Sequence, residues 1–161
     1  MDAWTKRIPE IAHLLNPAFC SSIIYQVILE YQKKAKRKFP FTLIYLILPI
    51  VLHKLTRERI TSRTNMVVWI QKYSDVLIGF PERAKSLVPF ANESVEFLLQ
   101  LKILQIISGE LSVVKTLSKS KIDAILDQEI LESYNKAENV GRWFAQMGAE
   151  ENIYAAWGVK P

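Results

Sequence analysis

The sequence predicts a mainly α-helical fold: a helical bundle around a buried central helix, with a winged-helix-like portion that contributes one β-hairpin. Three observations predict it. Phe39 to His53 runs fifteen residues without formal charge between Lys38 and Lys54, and its apolar residues fall on every side of a helix, the pattern of an element buried all round. The segments before and after it repeat apolar residues every three or four positions. The period then changes between Lys102 and Thr116, where two β-branched runs meet at Ser108-Gly109.

Taken in order, Trp4 to Leu15 reads as a lead-in and a short helix, with Ile8, Ile11 and Leu15 at helical spacing. Asn16-Pro17 is a restart signal, because an Asn side chain can accept from an orphan amide and Pro suits the first helical position. The helix that follows should run from Pro17 to about Lys36. Phe19, Ile23, Val27 and Tyr31 form its core-facing stripe, and its basic last turn complements the helix dipole. At about 1.5 Å per residue the central fifteen residues reach roughly 22 Å, short of the ~30 Å needed to span a bilayer. Pro49 should bend or split that helix. Thr64 is placed to cap a helix carrying Met66, Trp69, Ile70 and Tyr73. Pro81 should open another that ends near Pro89, and Asn92 a further one with Val95, Leu98, Leu99 and Leu101. Gly109 supplies the positive φ a tight hairpin turn needs. Three helices and a hairpin over residues 64–116 follow the order of a winged helix. Ser118 or Ser120 should cap a final long helix from Ile122 to Phe144, with Gly148 as its stop. Beyond it, Ile153, Tyr154, Trp157 and Val159 are too apolar for a free tail and should dock on this domain or on a partner.

The 161 residues fit a single domain, 1–161, divided into a helical part at 1–63, the winged-helix-like part at 64–116 and the C-terminal helix with its docking tail at 117–161. Half the residues are hydrophobic and five are glycine, which excludes a disordered chain. One cysteine, Cys20, excludes an internal disulfide framework. The first ten residues lack an apolar signal-peptide core, so the expected location is the cytoplasm.

Little in the chain points to catalysis. His13 and His53 stand far apart, without metal-ligand spacing to Cys20. The five glycines make no phosphate-binding loop, and no serine sits in a nucleophile elbow. Cys20 reads as a small buried hydrophobe on an apolar stripe. No catalytic residue, cofactor or metal is expected.

The charge is uneven. Between Tyr31 and Arg63 lie Lys33, Lys34, Lys36, Arg37, Lys38, Lys54, Arg57, Arg59 and Arg63, against Glu58 alone; this stretch carries +8 and the remainder −3. The cluster is a candidate for non-specific contact with nucleic-acid phosphates, although a solvated helix end would look the same. The two halves form one surface only if the helices bring them together; an antiparallel pair would set them at opposite ends. The expected recognition helix presents Asn92, Glu93 and Glu96 near its start, and carboxylates there repel phosphates. This face is therefore a candidate protein interface. Arg142 and Trp143 are the residue types that interface hot spots favour, with Tyr154 and Trp157 further candidates, although Trp143 can equally pack beneath the tail.

Several stretches together resemble the middle components of three-component ABC systems: Trp4 with LLNPAF at 14–19, FTL…LPI…H at 41–53 followed by Thr56-Arg57, GRWFA at 141–145, and the closing GVKP. The resemblance runs the length of the chain in the same order. It implies a small, non-catalytic coupling or scaffold subunit that links an SMC- or RecN-like ABC ATPase to an effector protein. The setting it implies is prokaryotic anti-phage or anti-plasmid defence of the Lamassu type. By analogy, winged-helix subunits of SMC complexes bind kleisins and ATPase heads, in keeping with an acidic recognition helix. The alternative is an autonomous winged-helix DNA-binding regulator. A third reading, a membrane-associated protein using the central helix, is disfavoured by that helix's length.

Overall fold

A computed structural model describes residues 16–117 and 128–160. The expected helix at residues 4–15, the caps at Ser118 or Ser120, and the Ile122 and Leu126 positions of the last helix lie outside the described residues. Among the described residues are seven α-helices and one three-stranded antiparallel sheet.

Helix α1, Pro17–Ala35, starts as the sequence predicts: the Asn16 side chain accepts from the amides of Ala18, at 2.8 Å, and Phe19. It ends at Lys36 in the left-handed conformation (φ 58°). The central segment is buried as expected but is built differently. Phe39–Pro40 forms a short strand, β1, and Phe41–Leu43 a 3-10 turn; only Ile44–Val51 is α-helical (α2). Pro49 lies within α2 and does not split it. Leu43, Ile44, Leu46 to Leu48, Ile50 and Val51 are all fully buried, and no helix among the described residues is long and apolar enough to cross a membrane.

Helix α3, Lys54–Arg59, and helix α4, Met66–Lys72, follow. Asn65 rather than Thr64 caps α4, accepting from the Val68 amide at 2.9 Å. After a 3-10 turn at Ser74–Leu77, helix α5 runs unbroken from Phe80 to Gln100. The two helices expected at 81–89 and 92–101 are thus one. Pro89 and Lys85 are both exposed, so the Lys85 carbonyl that Pro89 leaves without its amide partner faces water, and the break is avoided.

The expected hairpin forms as β2, Leu104–Ile107, and β3, Glu110–Val113. Ser108 (φ 53°) and Gly109 (φ 75°) make its two-residue turn, the arrangement that matches strand twist. Strand β1 adds to the other side of β3, pairing Phe39 with Leu111, for the order β1-β3-β2.

Helix α6, Gln128–Met147, packs along α1 more extensively than any other pair of elements. Gln26 donates to Glu138 (2.8 Å) and Arg142 to Glu30 (3.4 Å), so the two helices run parallel, with residues 112 apart in sequence level with each other. Helix α7, Glu150–Ala156, packs against α6 and the 3-10 turn at Phe41–Leu43. One cluster of buried residues extends from Cys20 to Trp157.

Candidate functional site

The aromatic residues expected at a partner interface lie in the core. Trp143, Tyr154 and Trp157 are 2%, 4% and 0% exposed. Trp69 sits 5.1 Å from Trp143 and 6.1 Å from Trp157, ring centre to ring centre, and Trp157 lies 4.8 Å from Phe80. Each indole N–H is satisfied within the chain: Trp69 donates to the Arg59 carbonyl, Trp143 to that of Thr64, and Trp157 to the Met66 sulfur. The tail therefore packs against the rest of the chain, and Trp143, Tyr154 and Trp157 face its interior rather than a partner. Arg142 is half-buried and committed to Glu30.

Tyr154 donates to the Thr42 carbonyl. Burial above all, then the neighbouring Tyr45 and Glu150, pushes its phenol from 10.0 up to about 12. The folded protein thus holds this proton more tightly than the unfolded chain. Stability from this group is complete below pH 10 and is lost as pH rises through about 12. Denaturant titrations should show a loss on the order of 2 kcal/mol over that window, and Tyr154→Phe should flatten it.

The basic residues divide into two groups with different fates. Arg57 is 3% exposed, which removes it as a phosphate contact. Its guanidinium donates to the carbonyls of Val51 (3.1 Å) and Leu52 and lies 4.0 Å from Glu132. Arg83 donates to the Pro49 carbonyl, so two arginines occupy carbonyls that end α2 without a further turn. Their charges, after burial itself, push the His53 imidazole below its usual range, keeping it neutral at pH 7. Its ring nitrogen meets Thr56 at 2.7 Å. Arg59 makes two 2.8 Å bonds to Asp75, and Lys54 lies 3.9 Å from Glu58. Arg63 is exposed.

The second group, Lys33, Lys34, Lys36, Arg37 and Lys38, is exposed at the end of α1. Arg37 donates to Tyr31 and to the Gly148 carbonyl. Helix α6 measures the separation of the groups: Arg57 faces Glu132 at one end, and Arg37 reaches Gly148 beyond the other. Sixteen residues at about 1.5 Å each make roughly 24 Å. The two halves of the basic cluster do not form one surface.

Asn92, Glu93 and Glu96 lie in the middle of α5, which begins twelve residues earlier than the expected recognition helix. Asn92 accepts from the Tyr45 hydroxyl at 2.7 Å. Glu93 is half-buried, and Glu96 is exposed beside Gln100. None of the three therefore stands at a helix start.

The hairpin edge is a feature that local sequence pattern does not show. Among the described residues strand β2 is an outer strand of the sheet, as β1 is on the other side. The Val114 amide donates to the Ile103 carbonyl. By the alternation of an antiparallel ladder, Gln105 and Ile107 also face β3, while the backbone groups of Leu104 and Ile106 point outward. Ile106 and Ile107 are 45% and 49% exposed, and Leu101 and Val114 on either side are 50% and 53%. Both consecutive strand residues being exposed places them at a rim, where a partner can reach them. A β-branched run adjoining Ser-Gly was the available sequence signal, but it reads equally well as a covered strand. Among the described residues, no group of three His, Cys, Asp or Glu side chains could hold a metal.

The family model described as ABC-three component (ABC-3C) system Middle Component 3 matches residues 4–161. Comparison with curated proteins and with solved structures returns no match.

Proposed function

Because the chain belongs to the family of Middle Component 3 proteins of ABC three-component systems, we propose that it is the non-catalytic scaffold of its system. In this reading it couples an ABC ATPase of the SMC or RecN kind to an effector, in a prokaryotic defence of the Lamassu type against phage or plasmid. A middle component works through partners, and the observation that carries this reading is the open β2 edge. It combines outward backbone donors and acceptors with exposed Ile106 and Ile107, so a partner segment can add both ladder bonds and apolar burial. Edges left this apolar are a liability in a free chain and are usually blunted by charge; here the strand itself carries none.

Residues 64–116 hold two α-helices before the hairpin rather than the three expected of a winged helix; the winged-helix arrangement proposed instead is α1-β1-α2-α5-β2-β3, spread over residues 17–113. The short strand after the first helix closes the hairpin into the three-stranded sheet. Helix α5 takes the recognition position. Its first turn offers Pro81 and Glu82, with Arg83 turned toward the Pro49 carbonyl, a poor start for reading base edges. That favours the scaffold over an autonomous DNA-binding regulator.

The test is co-expression with the products of the adjacent genes. The wild-type chain should co-purify with an ABC ATPase. Ile107→Lys, which puts a charge on the edge without touching the core, should lower recovery of at least one partner tenfold or more while leaving the melting temperature within about 2 °C. Equal recovery of every partner would remove the edge from the interface. A chain that captures no partner at all would overturn the scaffold reading.

A further inference from the structure

The sheet gathers lysines that are far apart in sequence. Strands β1 and β2 are both antiparallel to β3, so they enter the sheet at the same end. The register that pairs Phe39 with Leu111 brings Lys38 level with Ser112. The register that pairs Leu104 with Val113, with Val114 bonded to Ile103, places Lys102 and Lys115 just beyond the same end of the ladder. The last turn of α1 is tied to this end by Gln32, which accepts from the Val113 amide at 2.7 Å. Lys33, Lys34, Lys36, Lys38, Lys102 and Lys115 therefore crowd one end of the sheet, and all six are exposed.

Two further observations set this group apart from an ordinary solvated face. Among the described residues none of the six makes an ion pair, whereas Lys54, Arg57, Arg59 and Arg142 each face a carboxylate. The nearby acid on α1, Glu30, is taken by Arg142. In addition, Lys36 and Lys102 both adopt a left-handed backbone (φ 58°) where α1 and α5 end. Glycine is the cheaper residue at such positions. Lysine there favours the dipole at the helix end, but it carries a conformational cost at two neighbouring sites of one patch.

We propose that this patch binds the phosphate backbone of nucleic acid without reading sequence. The span from β1 to β2 is two strand spacings, roughly 10 Å, and a duplex carries one charge per ~1.7 Å of axis. The patch thus faces several phosphates at once. Rigid anchoring on strand and helix ends suits a regular polyanion; an anionic bilayer would instead call for an amphipathic helix with large apolar residues opposite its cations. This site is independent of the scaffold reading, which places protein partners at the β2 edge.

The experiment uses the full chain, with fluorescence anisotropy of a labelled random-sequence 30-mer as duplex and as single strand at 50–200 mM salt. Vesicles containing 30% phosphatidylserine form a further arm. Binding to nucleic acid should weaken at least tenfold across that salt range, with equal affinity for unrelated sequences. Lys36→Gln/Lys38→Gln/Lys102→Gln/Lys115→Gln should reduce the log–log salt slope by about 3–4. Lys54→Gln/Arg63→Gln, in the other cluster, should change affinity less than twofold. Lys36→Gly/Lys102→Gly supplies the discriminating readout: it should melt at the same or a higher temperature yet bind nucleic acid more weakly. An unchanged salt slope in the quadruple variant, or binding to vesicles alone, would overturn the proposal.

Discussion

Truncating Trp157 to alanine is expected to destabilise the fold by about 3–5 kcal/mol in denaturant titrations. The side chain is fully buried, stacks on Phe80 and Trp69, and donates to the Met66 sulfur. No compact rearrangement can refill that volume, because its neighbours belong to α4 and α5 and are held by their own indole and backbone bonds. Trp157→Phe keeps most of the apolar volume and forfeits the N–H donor, so about 1–2 kcal/mol is expected there. The ratio of the two losses tests whether the tail contributes mainly by packing. Equal, small losses would show that the tail docks weakly.

Gly141→Ala should destabilise by about 1–3 kcal/mol, against the sign helix propensity predicts. In an isolated helix the change gains up to about 1 kcal/mol. Here a Cβ would meet the Val27 carbonyl at 2.6 Å, the Glu30 Cβ at 2.9 Å and the Tyr31 amide at 3.2 Å. Two of these are backbone atoms of α1, so α1 itself must shift, and the steric cost wins. Thermal unfolding checks the sign. A raised melting temperature would mean that α1 and α6 do not approach this closely.

Much of this architecture is legible from local pattern. Asn16-Pro17 places the start of α1, Ser108-Gly109 places the hairpin, and the uncharged run at 39–53 reads as interior. What fails is whatever depends on distant partners. Strand β1 is two residues long and exists because β3, some seventy positions later, pairs with it; Phe39-Pro40 alone carries no strand signal. Asn92 resembles a cap, but its side chain is used by the Tyr45 hydroxyl, and Pro89 resembles a stop because its exposure cannot be read from spacing. In the candidate sites, the run Lys33 to Lys38 is plain to see. Its union with Lys102 and Lys115 comes from sheet register alone, and the burial of Arg57 follows from the ending of α2. Trp143 and Trp157 have the residue chemistry of hot spots, and only the tail's path decides that they face inward.

The parallel contact between α1 and α6 has a kinetic side. Its partners are separated by 112 positions, so it closes one of the longest loops available to the chain, and a topology weighted toward such contacts folds slowly. During synthesis the face of α1 that meets α6, around Val27 and Glu30, emerges before α6 and stays uncovered until the segment around Gly141 leaves the ribosome. Nascent chains halted before that point should be the most aggregation-prone species of this protein, with a sharp gain in protease resistance once α6 and the Trp157 tail have been released.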